Sequence, residues 1–345
     1  MKIARVRARA VDLALERPVE TAAGVMRTAP IVLVDVETTE GITGSGYLRT
    51  YTAVALDPLA RLVENVGELI AGAAAEPAAV AATLTAHFRL LGAQGLTGMA
   101  AAGIDMALWD AAAKARELPL ARLLGGDPRP IPAYASLRSM RPASAAAEAE
   151  ELLALGFRGL KVKVAGGAEL ETIRSVRAVA GDGIDLMVDY NQSLSVDEAL
   201  ARARVLDDEG LHWIEEPTRG DDFAGHARIA AAARTPVQLG ESFWGVPDLE
   251  KSIAAGASDH VTLDAMKIGG VTGWLRAAAL ADDAGLPASS HTFPELSVHL
   301  LAVTPTCHRL EYLDHARPLL AEPIRIVDGH AVPPERPGSG LEWRL

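Results

Sequence analysis

The chain reads as an α/β protein, a parallel (β/α)8-type barrel behind an N-terminal layer of antiparallel strands and helices. Three observations carry that expectation. Beyond residue 130, short apolar runs alternate with helical runs, the rhythm of consecutive strand–helix units. Three of these runs end in carboxylates: Met187–Gln192 carries Asp189, Trp213–Pro217 carries Glu215, and Val237–Glu241 ends on Glu241. These acids recur at equal steps of 26 residues, from 189 to 215 to 241, about what one strand, one helix and two loops occupy. They therefore fall at equivalent ends of successive parallel strands.

In chain order, Ile3–Leu15 and Ile31–Thr38 alternate apolar and polar residues, Glu40-Gly41 supplies a turn and Ile42–Leu48 returns, a pattern of antiparallel strands. Between the first two, Arg17–Pro30 is rich in Ala and Gly without a period, and a connection of that length is expected to be a binding loop or lid. Residues 55–126 have helical spacing, including Met99–Lys114. Gly125-Gly126-Asp127-Pro128-Arg129-Pro130 breaks the pattern and separates a layer of residues 1–127 from a barrel of residues 128–317. Barrel strands are expected at Ile131–Leu137, Gly159–Val164, Asp185–Tyr190, Trp213–Glu216, Val237–Glu241, His260–Lys267, Ala288–Thr292 and Arg309–Leu313. Helices between them include Ser144–Leu155, Glu169–Ala180 and Ser195–Glu209. The span is short beside the ~250 residues typical of such barrels, so the Arg17–Pro30 stretch is expected to cover the mouth. The proline-rich tail, residues 318–345, is expected to pack back on the N-terminal layer.

Composition narrows the function classes. A net charge of −12 argues against a nucleic-acid surface or a polybasic membrane contact. The single Cys307 excludes an internal disulfide and fits a reducing compartment. Met1–Arg7 alternates and lacks the apolar core of a signal peptide, and no run approaches the ~18 apolar residues of a membrane span. A cytoplasmic protein with a small-molecule partner is expected.

The chemistry follows from the strand ends. Three converging carboxylates repel one another unless a cation holds them, and an all-oxygen donor set suits one Mg²⁺. Lys161 and Lys163 flank Val162, so both face the barrel mouth. The sixth strand carries Asp264, the seventh ends in Ser289-Ser290-His291 and the eighth carries Glu311. Each residue type also has an ordinary use as a helix cap, a core imidazole or a solvated edge; the shared register marks a site. Lys163 and His291 approach from opposite sides of a closed barrel, which suits moving a proton at either face of one carbon. Asp264 would orient His291, and Lys161 together with Mg²⁺ would lower the Lys163 pKa. A positioned base supplies ~10²–10⁴-fold, about 3–5 kcal/mol, so most of the barrier must fall through Mg²⁺, Lys161 and a protonated Glu311 stabilising an enediolate.

Together, Lys161-Val162-Lys163, Val188-Asp189-Tyr190-Asn191-Gln192, Trp213-Ile214-Glu215-Glu216-Pro217, Gly240-Glu241, Asp264-Ala265-Met266-Lys267-Ile268-Gly269-Gly270, Ser289-Ser290-His291 and Glu311 resemble the enolase superfamily, in its mandelate racemase branch. That superfamily is known to use a Lys or His base with Mg²⁺. The resemblance covers nearly the whole chain, including Met99–Met106. It implies an N-terminal α+β capping domain, a (β/α)7β modified TIM barrel and a homo-oligomer, often an octamer. It also implies Asp189, Glu215 and Glu241 as Mg²⁺ ligands, and Lys163 with the His291–Asp264 dyad as the two bases. Lys161 and Glu311 would bind the substrate carboxylate, with Asn191 and Ser136 near the substrate.

The departures concern the substrate. The racemase lines its capping loop with small apolar residues around an aromatic ring, whereas the matching stretch here is Val19-Glu20-Thr21-Ala22-Ala23-Gly24-Val25-Met26-Arg27. Leu137 stands where the racemase has a His. Arg27 and Arg138 are expected to bind a polar or second acidic group. The expected reaction is α-proton abstraction from a 2-hydroxycarboxylate, with racemisation as its first outcome and acid-sugar (aldonate or aldarate) dehydration as its second. Cycloisomerisation or N-acylamino-acid racemisation would instead use Lys267 as second base. A sugar-acid binding protein without catalysis is the non-enzyme alternative. Gly269-Gly270 reads as a turn.

Overall fold

The computed structural model describes residues 1–22, 24–165, 167 and 169–344; Ala23, Gly166, Ala168 and Leu345 lie outside the described residues. The chain begins with an antiparallel sheet of β1 (Ile3–Thr21), β2 (Gly24–Thr38) and β3 (Thr43–Arg49), in that order. The middle strand β2 is buried continuously from Ala29 to Val34 because both of its faces are covered. Helix α1 (Leu56–Ile70) buries Leu59, Val63, Val66 and Ile70, a stripe at helical spacing. Helices α2 (Pro77–His87), α3 (Leu96–Ala115) and the short α4 (Leu120–Leu123) complete the layer. The small residues of α3 let it lie directly on β3: a Cβ at Gly44 would collide with the Ala107 carbonyl and Ala111.

Residues 17–30 are not an irregular lid. They form the end of a β1–β2 hairpin, paired at Val19↔Met26, Glu20↔Val25 and Thr21↔Gly24. The register shifts between Ala14 and Val19, around Pro18. Such an irregularity changes which face each side chain takes, so no single period runs through the stretch.

The second layer is the barrel: β4 (Ile131–Ser136), α5 (Pro142–Ala154), β5 (Gly159–Lys163), α6 (Glu169–Ala180), β6 (Asp185–Asp189), α7 (Val196–Leu206), β7 (Ile214–Glu215), α8 (Phe223–Ala232), β8 (Val237–Leu239), α9 (Val246–Ala255), β9 (His260–Asp264), α10 (Gly270–Asp283), β10 (Ala288–His291), α11 (Pro294–Ala302) and β11 (Leu310–Tyr312). Its parallel order runs from β10 back to β4, and β11 pairs with β4. Backbone bonds from Ala288 N to Thr306 O (2.9 Å), His308 N to Ala288 O (2.8 Å) and Ser290 N to Arg309 O (3.0 Å) close the ring. Helices fill the intervals between consecutive strands, so the architecture is a (β/α)7β modified TIM barrel with an N-terminal α+β layer. A hairpin of β12 (Arg325–Val327) and β13 (His330–Val332) pairs with β4 near its start.

Polar contacts tie the layers together. Asp105 of α3 accepts from Thr272 N (3.0 Å) and Thr272 Oγ1 (2.5 Å) at the start of α10. Gly269 and Gly270, with φ of 102° and 73°, make the turn before that helix, and the Asp105 carboxylate takes its free amide. Tyr47 Oη donates to Glu295 (2.9 Å). In the C-terminal segment, Trp343 Nε1 donates to Asp35 (2.9 Å), and Ser339 donates to Asp110 from its amide (2.6 Å) and hydroxyl (2.8 Å). No helix among the described residues is long and apolar enough to cross a membrane.

Candidate active site

Parallel pairing puts Lys163, Asp189 and Glu215 side by side at the C-terminal ends of β5, β6 and β7, and Glu241 follows β8. One carboxylate oxygen each from Asp189, Glu215 and Glu241 lies within 4.8 Å of the others. Their supports are specific. Asn191 donates to Asp189 from its amide (2.8 Å) and side chain (2.9 Å). Trp213 and Gln238 each donate to Glu215 Oε2 at 3.0 Å. Asn191, Gln192 and Glu216 have positive φ, so the chain is bent sharply just past the ligating ends. Burial pushes Asp189 above the usual carboxylate range, against Lys161 and with the help of Glu241. Burial, opposed by Lys161, also lifts Glu215 to about 7. Glu241 goes the other way: burial would raise it, but His291 and Lys267 outweigh that and hold it below the usual range. A buried all-oxygen triad fits a hard divalent cation.

Lys161 lies 2.5 Å from Glu215, 2.9 Å from Glu311 and 3.6 Å from Asp189. Burial alone would lower its pKa, but these carboxylates hold it well above the ordinary lysine value. Lys163 differs. Burial and the neighbouring Lys161 charge both lower its pKa, and its Nζ donates to Ser136 Oγ at 2.6 Å. His291 Nδ1 is 2.7 Å from Asp264 Oδ2, and its Nε2 is 3.2 Å from Glu241. Since a carboxylate only accepts, Asp264 assigns the Nδ1 proton; Asp264 is itself fixed by the amides of Met266 (2.8 Å) and Lys267 (2.9 Å). Burial works against protonating His291, yet Glu241 and Asp264 raise its pKa. Lys163, His291, Asp189 and Glu241 line one cavity of about 340 Å³, with Val19, Gly24, Val25 and Met26 of the N-terminal hairpin also on its wall.

Several expected substrate contacts lie elsewhere. Arg138 pairs with Asp314 (2.6 Å) and Glu148 (3.3 Å) and lines an adjoining flank cavity of about 680 Å³, which shares Leu313 and His315 with the site. Arg27 is exposed and does not line the cavity, although its neighbours Val25 and Met26 do. Ser136 holds Lys163 and faces the flank cavity. Asn191 lines the site but is engaged with Asp189. Glu311 is not a neutral donor here: burial favours its acid form, but Lys161, His291 and Lys163 outweigh that and hold it far below the usual range. Lys267 sits 5.0 Å over the Tyr51 ring and 5.9 Å from Trp244. Although burial opposes its charge, Tyr51, Asp264 and Glu241 raise its pKa, so it is a poor base. Sequence reasoning missed Arg49, Tyr51 and His315, all of which line the site; a basic residue closing the apolar strand Ile42–Leu48 was the available signal for Arg49.

Known proteins bear on this geometry directly. Residues 3–125 match the mandelate racemase / muconate lactonizing enzyme N-terminal domain, and residues 144–345 match the enolase C-terminal domain-like family. The chain is 32% identical over 327 residues to 3,6-anhydro-alpha-L-galactonate cycloisomerase of Streptomyces coelicolor, covering 92% of this chain and 90% of the relative. It is 34% identical over 257 residues to L-talarate/galactarate dehydratase of Salmonella typhimurium, covering 73% and 65%. A Bradyrhizobium enolase structure complexed with magnesium and mandelic acid shares 45% identity at a TM-score of 0.93, over 99% of this chain and 96% of that one. An enolase from alpha pretobacterium bal199 with bound Mg shares 40% identity at a TM-score of 0.96, over 99% and 97%. With its acid triad and both domains accounted for, the chain belongs to the mandelate racemase / muconate lactonizing enzyme family of the enolase superfamily, whose enzymes depend on Mg²⁺.

Proposed function

We propose that this enzyme moves the α-proton of a 2-hydroxycarboxylate and that racemisation is the outcome. The observation that carries the reading is the pairing of Lys163 on β5 with the His291–Asp264 dyad on β10 and β9, both bases lining the cavity at the acid triad. Around the ring these strands are three apart in one direction and five in the other, so the two bases reach a bound carbon from different sides. Asp189, Glu215 and Glu241 would hold Mg²⁺, which supplies Lewis-acid stabilisation of charge developing on the substrate carboxylate. Lys161 adds a fixed positive charge beside that carboxylate. Glu311 anchors Lys161, and Asn191 fixes Asp189. Lys163, lowered in pKa, takes the proton at its Nζ; Ser136 Oγ holds that nitrogen in place. His291, with its raised pKa, returns a proton from Nε2 to the other face.

The mandelic acid complex of the Bradyrhizobium enolase supports this reading. Dehydration is the second reading, favoured by the likeness to L-talarate/galactarate dehydratase, since a protonated imidazole at His291 can also deliver its proton to a departing β-hydroxyl. Incubation of hydroxy-acid and acid-sugar substrates in D₂O, followed by NMR and a semicarbazide assay, separates the two. α-Deuterium incorporation with inversion and without keto acid is expected; keto acid without inversion would replace racemisation by dehydration. Lys163→Ala and His291→Asn should each abolish exchange of one enantiomer and cut turnover by ~10²–10⁴-fold.

A further inference from the structure

The cavity has a polar wall that the proton transfer does not use. Arg49, the last residue of β3, is only 6% exposed and lines the cavity. No carboxylate among the described residues lies within 4.0 Å of its guanidinium, which rests 4.9 Å from the Tyr51 ring centroid. The other cations of this cavity are accommodated: Lys161 by three carboxylates, Lys163 by Ser136. His315, just past β11, lines the same cavity at 4% exposure, and neither ring nitrogen has a hydrogen-bond partner among the described residues. Burial, then the charges of Arg49 and Lys163, lower the pKa of that imidazole, so it adds no second positive charge beside the guanidinium.

A buried charge without a counter-ion is costly. An anion brought by the ligand would relieve that cost. The reacting carboxylate is already provided for by Lys161 and the acid triad, so the anion must be a different group of the substrate. We propose that Arg49, with His315 beside it, binds a second carboxylate at the far end of the substrate, which makes the substrate class a 2-hydroxy dicarboxylate. The planar fork of an arginine suits two-point binding of a carboxylate. Val19, Met26 and Leu313 of the same cavity remain to pack on the carbon skeleton between the two acid groups. The role expected of Arg27 and Arg138 thus passes to a residue of the third strand. This inference rests on the reading above only in placing the reacting carboxylate at the triad.

Two matched pairs differing in one terminal carboxylate test it: galactonate with galactarate, and mandelate with 4-carboxymandelate. Calorimetric binding to the Mg²⁺-loaded protein should favour at least one diacid over its monoacid by about 10- to 100-fold. Arg49→Met should erase that preference, and Arg49→Lys should retain part of it. The thermal midpoint of unliganded Arg49→Met should stay at or above that of the parent, since an unbalanced charge has been removed. Equal binding within both pairs, a preference surviving in Arg49→Met, or a drop of several degrees in that variant would each overturn the proposal, the last by marking Arg49 as a structural residue. α-Deuterium exchange read in parallel separates the two conclusions. Exchange without diacid preference sinks the Arg49 assignment alone, and preference without exchange sinks the proton-transfer reading alone.

Discussion

At the scale of single residues, two lysines two positions apart are driven in opposite directions. Lys161 sits among three carboxylates and stays charged, while Lys163 faces a serine hydroxyl and its neighbour's charge. Ser136→Ala should therefore leave the metal triad intact and release Lys163 from its fixed position. A several-fold fall in kcat with unchanged Mg²⁺ affinity is expected, measured by kinetics and metal titration. Asp264→Asn removes a carboxylate acceptor from His291 Nδ1 and leaves that ring free to take the wrong tautomer. Loss of about 10²–10⁴-fold in kcat, with the imidazole's contribution to the pH–rate profile shifted downward, is the expected result. The acid and base types at this scale were legible in the sequence because the strand period projects alternate residues into the mouth. Arg49 and His315 were not, because neither belongs to a strand whose register the triad defines.

At the scale of elements, the barrel strands and several helices could be read from apolar runs and their spacing, as Glu169–Ala180 illustrates. The far end of the hairpin formed by β1 and β2, residues 17–30, could not. Its register shift near Pro18 interrupts the alternation. The turn into α10 was read as a turn, but its partner was invisible, since Asp105 arrives from 167 positions away. That turn carries a stability prediction. Gly270 has φ of 73°, and an added Cβ would collide with the Asp105 carboxylate. Gly270→Ala is expected to destabilise the fold by about 1–3 kcal/mol, measured by urea denaturation.

The whole molecule stores acid sensitivity away from the catalytic cavity. Burial lowers the pKa of His299 to about 4, and its Nδ1 accepts the Ala121 amide at 3.3 Å, a bond that protonation would break. Burial and the His212 charge also lower His260 to about 4. An unfolded histidine titrates near ~6.5, so between pH 6.5 and 4 the unfolded chain binds more protons than the folded one. The stability held at neutral pH is therefore lost as pH falls through that window. Each group should contribute about 1–3 kcal/mol of that loss, and His299→Gln should flatten the dependence of the urea midpoint between pH 7 and 5.

The cavity takes Val19, Gly24, Val25 and Met26 from a hairpin that carries neither base nor acid ligand, so part of the wall that meets a ligand lies on a stretch of polypeptide apart from the bond chemistry. Transplanting residues 19–26 from a relative should re-tune which acids are accepted while deuterium wash-in at the reacting carbon survives. Selection could thus vary the accepted acid through this short exchangeable strip without first dismantling the engine beneath it.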